Sequence, residues 1–378
     1  MEERVMEAHV EEVLFEERKS ASGPAVGVIT LNVEKTLNSL TLNMVKLMLV
    51  KLREWRERSD IACVFIHGSG QKALCAGGDV HALYKSSVEQ PSGPCEYAEA
   101  FFEQEYRVDY LLHKFDKPVI VWGHGIVMGG GMGVFAAGSY RVVTEKTRLA
   151  MPEITIGLYP DVGGSYFLNR MPCHTGLFLA LTGASFNAAD ARYLGLAEGF
   201  VEHQYAGEVL NALTDVAWST GVADNHERVF DLMATYVARS AAAMPVGNVE
   251  AAAAEIEQLC AGEDDLAVID NIIAAQSDNP WIQKASATLA SGSPLSARLI
   301  AEQLRRCKGL SLKAAFQAEV LLSTAIIRQP EFAEGVRALL IDKDKSPAWQ
   351  HTAPAAVPQT LIEQHFSAPW DQNPLHDL

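Results

Sequence analysis

Residues Gly123–Tyr166 read GHGIVMGGGMGVFAAGSYRVVTEKTRLAMPEITIGLYPDVGGSY and hold the densest glycine cluster of the chain. Pro118–Trp122, directly before them, is apolar and β-branched, which predicts a buried strand. The triplet Gly129–Gly131 then permits a sharp turn, after which Met132–Ala137 are predicted to start a helix. Backbone N–H groups at the positive end of a helix attract a phosphate, a carboxylate or a developing oxyanion. Close packing of helix against sheet would explain a lone glycine run equally well.

A second glycine motif lies upstream, where Lys72–Val80 read KALCAGGDV. Gly77 and Gly78 give the backbone room for a ligand, and Asp79 is a residue type that caps helices. Taken alone, the motif is explained by a helix cap after a tight turn. Together with Gly129–Gly131, it predicts two loops whose N–H groups hold one carbonyl oxygen from two sides.

The composition is that of an ordinary soluble globular protein and excludes several function classes. The 378 residues are 48% hydrophobic and 21% charged, with a formal net charge of −16. This acidic balance argues against a nucleic-acid-binding protein, although a local cluster of cations could still hold a phosphorylated ligand. The six cysteines are scattered, without a C-x-x-C pair, which indicates a reducing compartment and no structural metal.

Two segments of the chain bear on targeting and membrane insertion. The acidic segment Met1–Lys19 lacks the apolar core of a signal peptide, so a cytoplasmic location is expected. The uncharged run Pro118–Tyr140 is long enough to span a bilayer, but glycines and His124 interrupt it. No membrane association is therefore predicted.

The first half of the chain alternates short apolar runs with amphipathic helical patterns. Val10–Glu17 and Ala25–Leu31 flank a turn-rich segment and predict a hairpin. A helix is expected to begin near Thr41, followed by a buried strand at Ala62–His67. This order, repeated through the glycine-rich stretch, predicts parallel strands covered by crossover helices.

The second half is predicted to be helix-rich. It includes the alanine-rich Ala251–Cys260 and the long Lys313–Arg328, to which we assign packing and no chemistry. The expected division is residues 1–200 for an α/β core with the ligand site, 201–350 for a helical region, and 351–378 for a proline-rich tail that wraps the surface.

Several of these motifs carry a resemblance to a known family. CAGGD at Cys75–Asp79 and GIVMGGGMGV at Gly125–Val134 resemble those of the crotonase, or enoyl-CoA hydratase/isomerase, superfamily. Phe101–Tyr106, Met151–Pro172 and Phe332–Trp349 are more specifically similar to the 3-hydroxyisobutyryl-CoA hydrolase family. The resemblance implies an α/β fold, a crotonase-type ββα spiral, with a helical C-terminal region.

The resemblance also implies catalytic residues. Gly78 and Gly130 match the residues whose N–H groups form an oxyanion hole for a thioester carbonyl. Glu153 matches the main catalytic acid of the superfamily, and Asp161 matches the second acid typical of the hydrolase branch. Glu153 has apolar neighbours in sequence, which predicts a raised pKa suited to a general base; direct attack as a nucleophile is the alternative.

Further residues are assigned to substrate binding by the same resemblance. Glu105 matches another acid of the hydrolase pocket, and Gly77 and Asp79 belong to the CAGGD motif. Lys35 lies where relatives contact the CoA moiety, although NVEKTLN at Asn32–Asn38 departs from the commoner form with arginine. Coenzyme A is part of the substrate, so neither a cofactor nor a metal is expected, and a homo-oligomer is possible.

One departure from the hydratase pattern bears on the reaction. Hydratases place a second glutamate a few residues after the glycine triplet, where this chain has Gly133. Glycine cannot accept a proton, so hydration is disfavoured. The resemblance implies instead hydrolysis of a short-chain hydroxyacyl-CoA, with 3-hydroxyisobutyryl-CoA in valine breakdown as the expected substrate. The alternatives are an enoyl-CoA hydratase or isomerase that uses Glu153 alone, and a non-catalytic subunit that binds acyl-CoA.

Each candidate side chain also has a structural interpretation. Asp161 is well placed to cap the next helix, and Glu105 lies in a helix where a solvated face is the default for an acid. Glu153 has Arg148 and Arg170 as possible ion-pair partners. Cys75 lacks a clear histidine partner, so we do not expect it to be a nucleophile.

The residues between the two acids predict a local conformation as well. Ile154, Ile156 and Leu158 alternate with other residues, which indicates an extended segment. Pro160 then stiffens the approach to Asp161.

Overall fold

The computed structural model describes residues 11–219 and 221–378. The strands are β1 (Val13–Lys19), β2 (Ala25–Leu31), β3 (Ile61–Gly68), β4 (Ala73–Cys75), β5 (Val119–Gly123), β6 (Ile126–Met128), β7 (Tyr140–Val143), β8 (Arg148–Ala150) and β9 (Gly199–Phe200). The predicted hairpin is confirmed as β1 and β2, which pair antiparallel, whereas Val10 lies outside the described residues.

The helices divide between the spiral and the later region. Those up to Phe200 are α1 (Leu42–Glu57), α2 (Val80–Glu89), α3 (Glu96–His113), α4 (Gly130–Ala136), α5 (Gly164–Phe167), α6 (Thr175–Thr182) and α7 (Ala188–Tyr193). Those beyond it are α8 (Ala206–Asp215), α9 (Val222–Ser240), α10 (Val249–Leu259), α11 (Asp265–Ile273), α12 (Pro280–Ser291), α13 (Pro294–Cys307), α14 (Leu312–Ile327), α15 (Pro330–Val336) and α16 (Gln359–His365).

Successive strands alternate between two sheets. Within the described residues, a six-stranded sheet has the order β1-β2-β3-β5-β7-β9, and a three-stranded sheet has the order β4-β6-β8. All pairs except β1 with β2 are parallel. Each of the pairs β3–β4, β5–β6 and β7–β8 therefore gives one strand to each sheet before helical structure returns the chain. This repeated ββα unit is the predicted spiral, and it confirms the fold class.

The large sheet is covered on both faces, which explains its nearly continuous apolar strands. Along β2, Val26 and Val28 face one hydrophobic cluster under α8 and α9. Ile29 and Leu31 face the other, larger cluster, because successive side chains of a strand point to opposite faces. The larger cluster also contains the buried faces of α1, α3 and α14, so it joins the sheets to the later helices.

Two helix starts agree with the sequence predictions. The Thr41 hydroxyl accepts a hydrogen bond from the N–H of Met44, and α1 begins at the next residue after Thr41. The Asp79 carboxylate accepts one from the N–H of Ala82 at 3.2 Å, which caps α2. Such caps satisfy backbone donors that the first turn of a helix leaves free.

The segment after Glu153 differs from the prediction. The alternation of Ile154, Ile156 and Leu158 indicated an extended segment, but Glu153–Ile156 forms a 3-10 turn that Gly157 ends at φ +70°. A Cβ on Gly157 would lie 2.5 Å from the backbone oxygen of Glu331, so α15 packs directly on this turn. The apolar alternation reflects packing of a tight turn against neighbouring helices, and the prediction of extended structure was wrong.

The predicted boundaries near residues 200 and 350 stay predictions. The last described strand ends at Phe200, and the described elements beyond it are helical. The larger hydrophobic cluster nevertheless extends from Val13 to Leu375, across both boundaries. Within residues 11–219 and 221–378, none of the helices has the length and apolar character needed to span a bilayer.

Candidate active site

Both glycine motifs, α3 and the segment after β8 meet around one cavity of about 230 Å³. Six of the residues singled out from the sequence line it: Gly77, Gly78, Glu105, Gly130, Glu153 and Asp161. Apolar walls come from Phe101, Phe102, Leu158 and Phe332. No lysine, arginine or histidine is among the described residues that line this cavity. The folded chain therefore brings acids and glycine backbone together in otherwise apolar surroundings.

The two glycine loops touch each other at the cavity. A Cβ on Gly77 would lie 3.7 Å from the backbone N of Gly130, and a Cβ on Gly130 would lie 3.4 Å from the backbone N of Gly78. Gly77 has φ +117°, a conformation that favours glycine. Among the hydrogen bonds of the described residues, the N–H groups of Gly78 and Gly130 donate none. These two donors are available to a ligand oxygen.

Glu153 begins the 3-10 turn and is buried at the cavity. Its Oε1 lies 3.1 Å from the position of a Cβ on Gly129, and its Oε2 has no hydrogen-bond partner in the described part of the chain. Burial, and then the charge of Asp161, raise the pKa of Glu153 well above its ordinary value. Arg170 instead lies over the ring of Tyr166, so the ion-pair interpretation of Glu153 finds no support there.

Asp161 is held by a hydroxyl network. The Tyr106 hydroxyl donates to Oδ2 of Asp161 at 2.5 Å and lies 2.6 Å from the Ser323 hydroxyl. Burial raises the pKa of Asp161 to about 6, while the bond from Tyr106 opposes that rise. The N-cap of α5 is Gly163, without a side-chain cap, so the capping interpretation of Asp161 is wrong.

Glu319 holds the loop that follows Asp161, and the sequence did not identify this residue. It lies on α14, where its carboxylate accepts hydrogen bonds from the N–H groups of Gly163 at 2.7 Å and Ser165 at 2.8 Å. Burial raises its pKa to about 8. We had assigned α14 to packing alone. The available signal was an acid on the apolar face of the helix, between Phe316 and Ser323 at helical spacing.

Glu105 and Asp109 on α3 are fully enclosed. They are 2% and 0% exposed, so the solvated face considered for Glu105 is wrong. Burial, with the charge of Asp161 next, raises the pKa of both well above the ordinary value. Asp109 was missed in the sequence, although it follows Glu105 by four residues and therefore lies on the same face of the helix.

Gly133, the second residue after the glycine triplet, has no room for a side chain. A Cβ on Gly133 would lie 2.6 Å from Oδ2 of Asp109 and 2.6 Å from Cβ of Val162. Real Cβ atoms do not approach other atoms so closely. At this point of the fold, a carboxyl group comes from α3 instead of from α4.

Three residues weighed from the sequence lie outside the cavity lining. Lys35 is exposed on a short 3-10 turn, and Asp79 caps α2. The Lys35 turn does adjoin the CAGGD loop, since the backbone oxygen of Leu37 accepts from the N–H of Ala76 at 3.0 Å. Cys75 is buried, and burial raises the pKa of its thiol to about 12, which disfavours the thiolate that a nucleophile needs.

Within the described ranges, histidine, cysteine, aspartate and glutamate side chains form no group of three arranged to hold a metal ion.

Comparison with solved structures relates the architecture to known proteins. A carnitinyl-CoA dehydratase from Mycobacterium thermoresistibile superposes with a TM-score of 0.83 at 34% identity, covering 96% of this chain and 98% of that one. An enoyl-CoA hydratase from Rhodobacter sphaeroides 2.4.1 superposes with a TM-score of 0.81 at 31% identity, covering 95% and 98%.

Sequence relatives align with nearly the full length of this chain. The chain is 37% identical to the mitochondrial 3-hydroxyisobutyryl-CoA hydrolase of Danio rerio, over 94% of this chain and 90% of the relative. It is 33% identical to the human protein of the same name, over 95% and 89%. A family model described as enoyl-CoA hydratase/isomerase matches residues 26–366. The chain therefore belongs to the enoyl-CoA hydratase/isomerase, or crotonase, family.

Proposed function

We propose that this protein hydrolyses 3-hydroxyisobutyryl-CoA to 3-hydroxyisobutyrate and CoA, a step of valine catabolism. The full-length relatives bear the name of that hydrolase. The observation that carries the proposal is the cavity itself, where the free N–H groups of Gly78 and Gly130 lie beside the buried acids Glu153 and Asp161. Its volume of about 230 Å³ is below the ~300–1,000 Å³ of most drug-sized sites and suits a short acyl group.

The reaction needs an oxyanion site and a base. When the thioester carbonyl is attacked, its oxygen becomes negative, and the N–H groups of Gly78 and Gly130 stabilise it. Losing one such donor typically costs about 3–4 kcal/mol in the barrier. Glu153, whose pKa burial raises, takes the proton of the attacking water. Asp161, with its hydroxyl partner Tyr106, positions that water or the substrate hydroxyl.

Direct attack by Glu153 is the competing route to the same products. It would form a mixed anhydride between Glu153 and the acyl group, which water then cleaves. Quenching the reaction with hydroxylamine separates the two. A hydroxamate on Glu153, found by mass spectrometry, would establish the anhydride; attack by water predicts neither that hydroxamate nor an enzyme-dependent hydroxamate of the acyl group.

Hydration of an enoyl thioester is the second candidate, because two similar solved structures are those of an enoyl-CoA hydratase and a carnitinyl-CoA dehydratase. Against it stands Gly133, where a second glutamate has no room beside Asp109 and Val162. A hydratase built on this chain would have to work with Glu153 alone or take a second acid from α3.

The first experiment measures thiol release and loss of the enoyl double bond, with 3-hydroxyisobutyryl-CoA and crotonyl-CoA side by side. We expect fast thiol release from the hydroxyacyl thioester. Loss of the crotonyl double bond without thiol release would instead establish a hydratase, and binding of both thioesters without turnover would indicate a non-catalytic subunit.

A matched pair of variants tests the base. Glu153→Gln is expected to lower kcat by about 10²–10⁴-fold, because it keeps the shape of the side chain and removes its basicity. Glu250→Gln, at an exposed site on α10, is expected to behave as the wild type. Normal turnover by Glu153→Gln would remove Glu153 from the mechanism.

Substrate contacts and cell compartment complete the proposal. The substrate-binding residues are proposed to be Gly77, Glu105, Asp79 and Lys35. Lys35 reaches the CoA portion from its exposed turn, so Lys35→Ala should raise KM and leave kcat unchanged.

The relatives are named mitochondrial, whereas the sequence led us to expect the cytoplasm. Fractionation of the source cells, with markers for both compartments, decides between them.

A further inference from the structure

Three titratable side chains form a stripe along α3. Glu105, Asp109 and His113 follow each other at intervals of four residues, so they lie on one face of the helix, each about 6 Å further along its axis. Glu105 lines the cavity, and Asp109 is 0% exposed in the interior. His113 is the half-buried last residue of α3, followed by the exposed Lys114. We call these three residues the α3 stripe; it leads from the cavity to the surface.

Each member of the α3 stripe has a buried polar atom without a hydrogen-bond partner among the described residues. These atoms are Oε1 of Glu105, both carboxyl oxygens of Asp109 and Nε2 of His113. Buried polar atoms are nearly always paired, so several unpaired atoms in one row need a reason. Groups spaced in this way can be bridged by single water molecules, each of which accepts and donates a proton.

The surroundings of the α3 stripe change in charge along its length. Glu105 faces the acids Glu153 and Asp161, and Asp109 faces Asp161 and Glu319. These acidic and apolar surroundings favour the protonated form of both carboxyl groups.

His113, by contrast, faces the cations Arg141 and Lys114. Burial and these charges lower its pKa to about 4. The two carboxyl groups therefore favour their protonated form and His113 its neutral form, so His113 does not retain a proton that reaches it.

The proposed reaction produces a proton that has to leave. Water adds its oxygen to the acyl carbon, the C–S bond breaks, and one water proton goes to the thiolate sulfur. The new carboxylic acid is ionised at neutral pH, so one proton remains for each thioester cleaved. We propose that the α3 stripe conducts this proton from the cavity to solvent through Asp109 and His113. This inference rests on the proposed hydrolase function.

Asp109→Asn tests the interior of the route. Asparagine keeps the shape but cannot carry a proton, so we expect kcat to fall toward the ~10²–10⁴-fold that a lost proton-transfer step costs. The solvent deuterium isotope effect on kcat should rise, because proton transfer then limits the rate. A loss of packing alone would lower the melting temperature and leave that isotope effect unchanged.

His113→Ala tests the surface end and also serves if Asp109→Asn does not fold. We expect slower turnover in dilute buffer and recovery on adding imidazole, which can occupy the vacated space and carry the proton. His226→Ala is the matched control; among the described residues, this histidine on α9 hydrogen-bonds only with the backbone oxygen of Asp116, at 3.1 Å. It should show neither the loss nor the recovery.

The outcomes separate the two proposals. No thiol release by the wild type overturns the hydrolase function itself. Normal hydrolysis by the wild type, with an unchanged isotope effect in Asp109→Asn and no imidazole effect in His113→Ala, overturns the proton route and leaves the hydrolase function standing.

Discussion

At the scale of single residues, the cavity depends on glycines, which have no side chain, as much as on the acidic side chains. Gly130 and Gly133 each lie against a carboxyl oxygen of α3, from Glu105 and Asp109 respectively. A methyl group at either glycine would push an acid out of its place. The glycine cluster thus brings acids from another helix to within contact of the α4 backbone.

Gly133→Ala is expected to destabilise the protein by about 1–3 kcal/mol, the usual effect of overpacking, since its Cβ would lie 2.6 Å from Asp109 and Val162. Gly207→Ala is the matched control, because a Cβ there meets no atom within 4 Å and alanine favours the helix. Urea unfolding measures both. Equal stability of the two variants would contradict the packing at Gly133.

Tyr106→Phe removes the hydroxyl that donates to Asp161. The buried carboxylate then lacks its partner, which costs about 1–3 kcal/mol of stability, and the pKa of Asp161 should rise further above about 6. We expect the acid limb of the pH–rate profile to move to higher pH. Tyr159→Phe is the control, since the Tyr159 hydroxyl donates to the backbone oxygen of Glu319 and not to Asp161. This variant should leave the acid limb of the pH–rate profile at its wild-type pH.

At the scale of elements, α3 and α14 together hold the acidic side of the cavity. α3 supplies Glu105, Asp109 and Tyr106, and α14 supplies Glu319 and Ser323. Hydroxyl and backbone bonds connect the two helices through the Asp161 loop. The loop is fixed from both sides, although its own residues form only the four-residue helix α5.

Because Glu319 is buried, the stability of the folded protein is expected to depend on pH. The pKa of Glu319 is about 8 in the folded protein, against an ordinary value near 4.5, so the folded state binds the proton more tightly. The free energy of unfolding should therefore fall as pH rises from about 4.5 to about 8. Glu319→Gln should reduce this slope, and Glu250→Gln, at an exposed site, should keep it. Urea unfolding at pH 5 and pH 8 provides the test; an unchanged slope in Glu319→Gln would refute the assignment.

At the scale of the whole molecule, the C-terminal segment is part of the support for the site. Arg107 of α3 donates to Asp377 at 2.8 Å and to the backbone oxygen of Pro374 at 2.7 Å. Leu375, between them, is fully buried in the larger hydrophobic cluster. The segment that we expected to wrap the surface also adds to the core and contacts the helix that carries the α3 stripe.

Leu375→Ala is expected to destabilise the protein by about 2–5 kcal/mol, because it leaves a cavity in the core. The C-terminal segment should also become sensitive to limited proteolysis. Val246→Ala, at a residue 91% exposed, should change neither property. A Leu375→Ala variant as stable and resistant as the wild type would show that the segment packs elsewhere.

The sequence predicted what is local and left open what depends on packing between distant elements. The hairpin, the start of α1 near Thr41, the cap at Asp79 and the glycine loops follow from short patterns, and the resemblance pointed to Glu153 and Asp161. Asp109 and Glu319 were missed because each looks like an ordinary helical acid until the fold buries it. The turn after Glu153 was mistaken for extended structure because its apolar contacts come from helices far along the chain.

The lack of a cation in the cavity lining has a consequence for selectivity. A neutral hydroxyacyl group can enter among carboxyl groups, whereas an acyl group that ends in a carboxylate would bring a further negative charge into a site without a cation. Thioesters of dicarboxylic acids should thus be rejected, because their second carboxylate would be buried without a cation to pair with. The newly formed acid meets the same lack of a cation once it ionises, so the cavity that admits the substrate also favours release of its product.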